Sequence, residues 1–501
     1  MSRPARAFLL LVLGLAFSAS LSAQQLWREG GNPSGRACWQ RDGAEARLGG
    51  GYTWGRFKTP SEAAQLWTAS ASAKGERRFK DLVLAGDFSF ALASGKDMYG
   101  SMFTRPGYYP VDVVEFTPGQ KTRQTYGIGG ALAWQNTSRW VPGVSARFEG
   151  ENYAKRKDLR HTTYRQELEL LPSLLYKEDA WAAGATFRFK KTSEFIQAEQ
   201  IGSATSDSYY AFLDKGLRYG AYQVWDGSGV HLKESGVDRF PVKEMSYGVG
   251  LQASAGNFLY AQAEYRRSRG EVGEKGYTWF RFPGAAVEAT VAGAIPGQAG
   301  RHVIRADYSW QRKDNYESVI EKVTEGGVTT PVEYGSNRVY ALRVWTLAPS
   351  YRYEGKEGLQ LAANLKFTHR RELSTALYPF QAQDEIAHLA AAVRASVPLG
   401  AFLLRAGLSG GALLVKNPSQ LTKADESLET SEEPYRLTDW YRMEREVLGA
   451  PRIGASLALR YRLPLPGLYL EAAGEFTHAL RVQFLDGRNR QSTQLTIGYQ
   501  F

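Results

Sequence analysis

The sequence holds one cysteine, six histidines and, past its first two dozen residues, no run near the ~18 apolar residues that a membrane-spanning helix needs. The lone Cys38 excludes a disulfide scaffold. The missing apolar runs exclude a helical membrane protein. The histidines (His161, His231, His302, His369, His388 and His478) show no metal-ligand spacing to one another, to Cys38 or to carboxylates. No phosphate loop, nucleophile elbow or paired-carboxylate site accompanies them. His388 is the one histidine suited to chemistry, and Ser396 on the same strand face lies too far along to serve it. No enzyme, metal or cofactor is therefore expected. What is abundant is glycine (52), tyrosine (28) and tryptophan (12), in a chain only 43% hydrophobic. That mixture argues against disorder and favours β structure.

The N-terminus sets the compartment. Arg3 and Arg6 precede the ten-residue apolar run Phe8–Phe17, and mostly small residues lead on to Ala23. This is the pattern of a secretory signal peptide over 1–23, cleaved after Ala23. The net charge of +11 includes its two arginines. Export makes nucleic acid an improbable partner despite that basic balance. In an export compartment a single cysteine forms no internal disulfide.

From residue 44 onward the chain alternates with period two. In Leu359–Arg371, the apolar side chains Leu361, Ala363, Leu365 and Phe367 oppose Gln360, Asn364, Lys366 and Thr368. Successive strand residues point to opposite faces, so each such segment has one apolar and one polar side. The segments run about 12–19 residues, against ~5–6 for strands of soluble folds. Aromatics such as Tyr164, Tyr176, Tyr308 and Trp310 sit toward the ends of the apolar faces, as interfacial girdles do. The chain ends in alternation on Tyr499 and Phe501, resembling the C-terminal signal read by the barrel-assembly machinery.

These features predict an all-β fold: a transmembrane antiparallel β-barrel of about 18 strands, with 16 as the alternative. Short turns follow even-numbered strands, and the long loops 95–120, 194–241, 314–335 and 417–447 all follow odd-numbered ones. That parity is the one expected of short periplasmic turns and long extracellular loops. Only a closed barrel lets a β protein pair every backbone group within lipid. Three regions result: the signal peptide 1–23, a short periplasmic segment or hatch 24–43, and the barrel 44–501.

The polar faces carry the candidate lumen charges: Arg147, Glu149, Arg165, Glu167, Lys366, Arg370, Arg394, Arg405, Arg460, Arg462, Glu471 and Glu475. Either they form a field that favours anionic solutes, or they satisfy one another as Arg–Glu ladders that fill the lumen. The long loops are rich in aromatics, notably Tyr209, Tyr210, Trp225 and Trp440, which either stack on a ligand or pack among themselves. The acidic run through Asp425, Glu426, Glu429, Glu432 and Glu433 reads as a solvated surface.

Four stretches are more specific: GNPSG at Gly31–Gly35, the block Phe212–Val237, FPVKE at Phe240–Glu244 and GEKGYTWFRFPG at Gly273–Gly284. They resemble an uncharacterised outer-membrane β-barrel family of about this length, known only as a domain of unknown function. The resemblance implies the barrel fold and an outer-membrane location, and brings no substrate, catalytic residue or cofactor. Separately, Asn32-Pro33-Ser34 is similar to the Asn-Pro-Ala turn in the hatches of fatty-acid-type channels. The expected function is passive solute passage or ligand binding at the pore, in contact with outer-membrane lipid and lipopolysaccharide. The rivals are a fatty-acid-type channel or secretion component gated by 24–43, and a barrel hydrolase.

Overall fold

The computed structural model describes residues 26–27, 30–38, 42–135, 139–199, 209–225, 240–256, 258–274, 277–416 and 437–501. The expected signal peptide and the acidic run from Asp425 to Glu433 lie outside them.

The chain forms β1 (Gly43–Gly55), β2 (Gln65–Phe79), β3 (Leu82–Ser101), β4 (Asp112–Trp134), β5 (Trp140–Lys155), β6 (Arg160–Lys177) and β7 (Trp181–Glu199). A small hairpin follows, β8 (Tyr209–Asp214) and β9 (Gly220–Trp225). The wall resumes with β10 (Phe240–Ala255), β11 (Leu259–Glu274), β12 (Tyr277–Pro296), β13 (Gly300–Glu325), β14 (Val328–Gly355), β15 (Gln360–Ser374), β16 (Ala382–Leu399) and β17 (Phe402–Lys416). A helix α1 (Leu437–Gly449) precedes β18 (Arg452–Arg462), β19 (Leu468–Ala479) and β20 (Asn489–Gln500).

Each wall strand pairs antiparallel with the next, β7 pairs with β10, and β20 pairs with β1, so eighteen strands close into a barrel. Sixteen is excluded. Closure leaves no open edge, which is the condition for crossing hydrocarbon. Leu408 and Leu495 on the outer face are 65% and 68% exposed, a solvation state that suits lipid and not water. Outward aromatics mark both ends of this apolar band. At the periplasmic end Tyr176 contacts both Trp140 and Trp181, and Tyr499 and Phe501 lie there too at 4.4 Å between ring centroids. Tyr52 and Trp67, 4.4 Å apart, stand at the outer end. The periplasmic turns are tight. In the last of them Gly467 has φ +79°, and a Cβ there would meet the Gln500 carbonyl oxygen at 2.1 Å.

Four segments differ from the sequence-based expectation, the first being the expected loop 194–241, where β7 runs on to Glu199 and the hairpin β8–β9 forms. The expected loop 314–335 is mostly strand, because β13 and β14 run on as a two-stranded ribbon that turns at Gly326 and Gly327 (φ +60° and +81°). Both faces of that ribbon are wet, so it lacks the apolar alternation that identifies a wall strand. The expected loop 95–120 narrows to 102–111 for a related reason, since β4 begins at Asp112 in a segment that pairs with β8. The strand expected to begin at 448, after the loop 417–447, is β18 and begins at Arg452, because α1 occupies the residues before it.

At the periplasmic end, residues 26–27 and 30–38 lie across the opening. Trp27 is 2% exposed, packs edge-on against Tyr260 (5.2 Å), and donates from Nε1 to Ser254 Oγ at 2.9 Å. Asn32 Nδ2 donates to Gln252 Oε1 at 3.0 Å, while its Oδ1 accepts from the Ser34 backbone N–H and starts the 3-10 turn Pro33–Cys38. Ser34 Oγ meets Ser173 Oγ at 2.7 Å, and Arg36 pairs with Glu76 at 2.5 Å. The segment is thus tied to β2, β6 and β10 at once. Cys38 ends the turn, partly buried against the same apolar cluster.

Candidate functional site

The lumen charges line the inner face in register and pair mostly along the wall. Arg147 meets Asp87 on β3 at 3.0 Å. Arg165 is fully buried among four carboxylates: Glu149 (3.2 Å), Glu151 (3.1 Å), Glu167, and Glu194 (3.9 Å). Glu167 also receives Lys190 at 2.9 Å. On the opposite wall Arg405 and Arg460 share Glu471, and Arg370 holds Glu372 at 2.6 Å. Among the described residues, Lys366, Arg394, Arg462 and Glu475 make no ion pair. His388 points inward beside Gly411, with no hydrogen-bond partner at Nε2 and no serine or acid brought to it. Ser396 lies eight residues further along β16, roughly 26 Å at ~3.3 Å per residue.

The outer half of the lumen encloses a cavity of about 870 Å³. Its roof is built from three inward-folded elements. The first is the loop 102–111, which crosses the opening. Thr163 Oγ1 donates to the Met102 carbonyl at 2.7 Å, and Thr104 donates from N and Oγ1 to Glu194. On the far side Lys313 Nζ donates to the Tyr108 carbonyl at 3.1 Å and sits 4.9 Å from that ring's centroid. Phe103 and Tyr109 then pack on Phe240 and Phe282 of the wall.

The second roof element is the hairpin β8–β9, attached by pairing Asp112–Glu115 with Ala211–Asp214. Its turn is held by one carboxylate. Asp214 Oδ1 accepts from the backbone N–H groups of Gly216 (2.8 Å) and Arg218 (3.1 Å), and Oδ2 accepts from Arg218 Nη1 at 2.9 Å. Leu217 and Arg218 both have positive φ (56° and 63°), a conformation non-glycine residues keep only where such contacts hold it. Tyr209 and Trp225 stand opposite each other on this hairpin, and Tyr210 opposes Val224.

The third element is α1. Trp440 wedges between Tyr99 (5.0 Å) and Phe116 (4.9 Å). Arg218 reaches from the hairpin to Glu444 (Nε to Oε2, 3.2 Å), Arg445 pairs with Asp384 at 3.0 Å, and Glu446 accepts backbone N–H groups of Phe484 and Leu485.

Around Arg218, Arg370 and Arg445 the cavity gathers Asp112, Asp214, Glu372, Asp384 and Glu444. Carboxylates outnumber guanidiniums there. Burial accordingly pushes Asp112 up to about 7, with Arg218 and the Ser101 hydroxyl (2.7 Å) opposing the shift only in part. Burial raises Asp214 and Glu444 as well. The same burial works against the charge on Arg218, but Glu444, Asp214 and Asp112 outweigh it and keep the group protonated. Sequence reasoning missed this cluster. It read the residues of α1 as part of the loop 417–447, although the helical spacing of Leu437, Trp440, Tyr441 and Leu448 is a signal that could have found the helix.

Residues 37–501 match the family of unknown function DUF6850, and the chain belongs to that family. No curated protein matches the sequence. Solved structures with a similar outline include the ferric preacinetobactin receptor BauA of Acinetobacter baumannii, at 7% identity and TM-score 0.43, covering 92% of this chain and 80% of that one. The outer-membrane transporter YddB of Escherichia coli is 6% identical, with TM-score 0.42 and coverages of 91% and 81%. OccAB2 of Acinetobacter baumannii is 9% identical, with TM-score 0.35 and coverages of 92% and 98%. These likenesses are loose and do not bear on what this barrel carries.

Proposed function

We propose that this family member is an outer-membrane barrel that binds a small anionic or zwitterionic solute in its outer chamber and passes it inward when the lumen opens. The observation that carries this reading is the partly roofed chamber itself. Its volume of about 870 Å³ falls in the range of small-molecule sites, and tyrosines stand beside fixed charges on its walls. A lumen roofed at one end and crossed by 26–27 and 30–38 at the other suits gated passage better than a standing pore. Anionic preference follows from charge balance. Arg123, Arg490, Lys366, Arg394 and Arg462 line the route without an ion pair among the described residues, against Glu62, Asp112 and Glu475 of opposite sign, so the surplus of cations lies along the route and not in the acidic cluster around Arg218. Residues 24–43 then serve as the hatch, 1–23 as the cleaved export signal, and Tyr499 with Phe501 as the insertion signal. Binding and passage, not catalysis, is the role assigned, since His388 stands without a nucleophile.

The test is planar-bilayer conductance of the whole barrel against a variant lacking residues 26–38. The intact protein should open rarely, and the deletion should raise conductance severalfold, with a reversal potential that favours anions over cations. A large, steady, cation-selective conductance from the intact barrel overturns the reading.

A further inference from the structure

The outward face carries a second feature with no part in the chamber. On four of five neighbouring strands the apolar lipid-facing ladder ends, toward the outer side, in a cation. On β11 Tyr265 is followed by Arg267 and Arg269, on β13 Trp310 by Arg312, on β14 Trp345 by Arg343, and on β15 Phe367 and His369 by Arg371. On β12 between them the register position is Ala285. The pairing puts these groups in one row: Arg267 opposes Ala285, Ala285 opposes Arg312, Arg312 opposes Arg343, and Arg343 opposes Arg371. On β3 to β6 and on β20 the corresponding positions hold uncharged groups, Ser94, Gln124, Asn152, Gln166 and Gln491, while β7 and β10, next to β11, carry Lys191 and Lys243.

Like charges directly opposite on adjacent strands destabilise a sheet. Compensation within the row is incomplete. Asp314 bridges Arg312 (2.7 Å) and Arg343 (2.9 Å), and Glu385 beyond Arg371 bonds His369 at 2.9 Å. Arg267 and Arg269 make no ion pair among the described residues. Just below them the outer surface is hollowed into a groove of about 520 Å³ lined by Phe187, Tyr247, Val249, Tyr265 and Pro283. An apolar groove capped by unpaired guanidiniums, at the boundary between lipid tails and headgroups, matches an amphipathic anion with acyl chains below and phosphate above. Arginine suits that phosphate, since its fork takes two oxygens at once.

We propose that this arginine arc binds the phosphorylated headgroup of lipopolysaccharide in the outer leaflet, with an acyl chain in the groove beneath Arg267 and Arg269. The inference rests on the reading that the barrel spans an outer membrane with its long-loop end outward. It assigns one side of the barrel, β11 to β15, a bound ring of glycolipid that the other side lacks.

The test uses the whole barrel folded in detergent and then in phospholipid vesicles, with bisphosphorylated lipid A and its dephosphorylated form as probes, read by native mass spectrometry. The wild type should retain the bisphosphorylated lipid and exchange the dephosphorylated one freely. Replacing Arg312, Arg343 and Arg371 together by Gln should weaken retention on the order of a hundredfold. The pair Arg267→Gln and Arg269→Gln should weaken it independently, and Arg→Lys at the same places should recover part of it. Equal retention of the two lipids by the wild type overturns the proposal without recourse to any variant. Failure of the wild type to insert into vesicles, seen as loss of its compact migration on an unheated gel, overturns the membrane reading beneath it.

Discussion

Asp112 gives the roof of the chamber a defined response to pH. Its carboxyl lies where β4 leaves the wall to pair with β8, and it faces Arg218 from the hairpin turn, Asp214 from β8, Glu444 from α1 and Ser101 from β3. With the roof closed its pKa is about 7, against 3.8 for a solvated aspartate. Between those values the closed form holds a proton that the open form has lost. Closure is therefore most favoured at low pH, weakens as pH rises through that window, and is flat above about 7. At 1.36 kcal/mol per tenfold change in proton affinity, the full difference sets a ceiling of about 4 kcal/mol. Asp214 and Glu444 adjust with Asp112, so roughly half of that, about 2 kcal/mol, is expected for the set. The assay is amide hydrogen exchange at Val113 and Leu213, opposed residues in the β4–β8 pairing, corrected for the intrinsic pH dependence of exchange. Protection in the wild type should fall about tenfold from pH 5 to pH 8, since only the part of the window above pH 5 is sampled. Asp112→Asn, which imitates the protonated form, should hold protection high and nearly level. A wild type with equal protection at both values, or an Asn variant with the wild-type slope, would falsify the assignment.

Two further substitutions probe the charge network. Arg218→Ala strands Asp214 and Glu444 in the chamber and unties α1 from the hairpin, so roof opening should become easier by roughly 3 kcal/mol. Limited proteolysis should then cut within 209–225 in the variant and spare the wild type. Arg165→Met removes the one fully buried cation among Glu149, Glu151, Glu167 and Glu194, and should cost the barrel roughly 3–5 kcal/mol. Its thermal unfolding, followed by circular dichroism, should drop well below wild type. An unchanged melt rejects that role.

The limits of sequence reasoning here follow from where the information lies. Wall strands announce themselves because each contact they make with lipid or lumen recurs every second residue, so Leu361, Ala363, Leu365 and Phe367 fix both a strand and its face. Parity then places every inward charge, Arg147 through Glu475, without knowledge of any partner. The roof obeys no such rule. Asp112 meets Asp214 across 102 residues of intervening chain, and Arg218 meets Glu444 across 226. Such pairings are set by closure of the barrel, which brings β4, β8 and α1 into one lumen, and nothing local to any of the three encodes it. The wet ribbon of β13 and β14 was hidden for the opposite reason: it is regular, but neither face is apolar, so its period has no hydrophobic signature. The arginine row combines both situations. Each arginine is visible on its own strand as the residue that ends an apolar ladder, yet a lone interfacial cation is unremarkable. Only the register, which sets Arg312 against Arg343 and Arg343 against Arg371, turns separate strand ends into a continuous anion-binding edge. Function in this barrel therefore resides in relations between strands, while the sequence read alone reveals the strands one at a time.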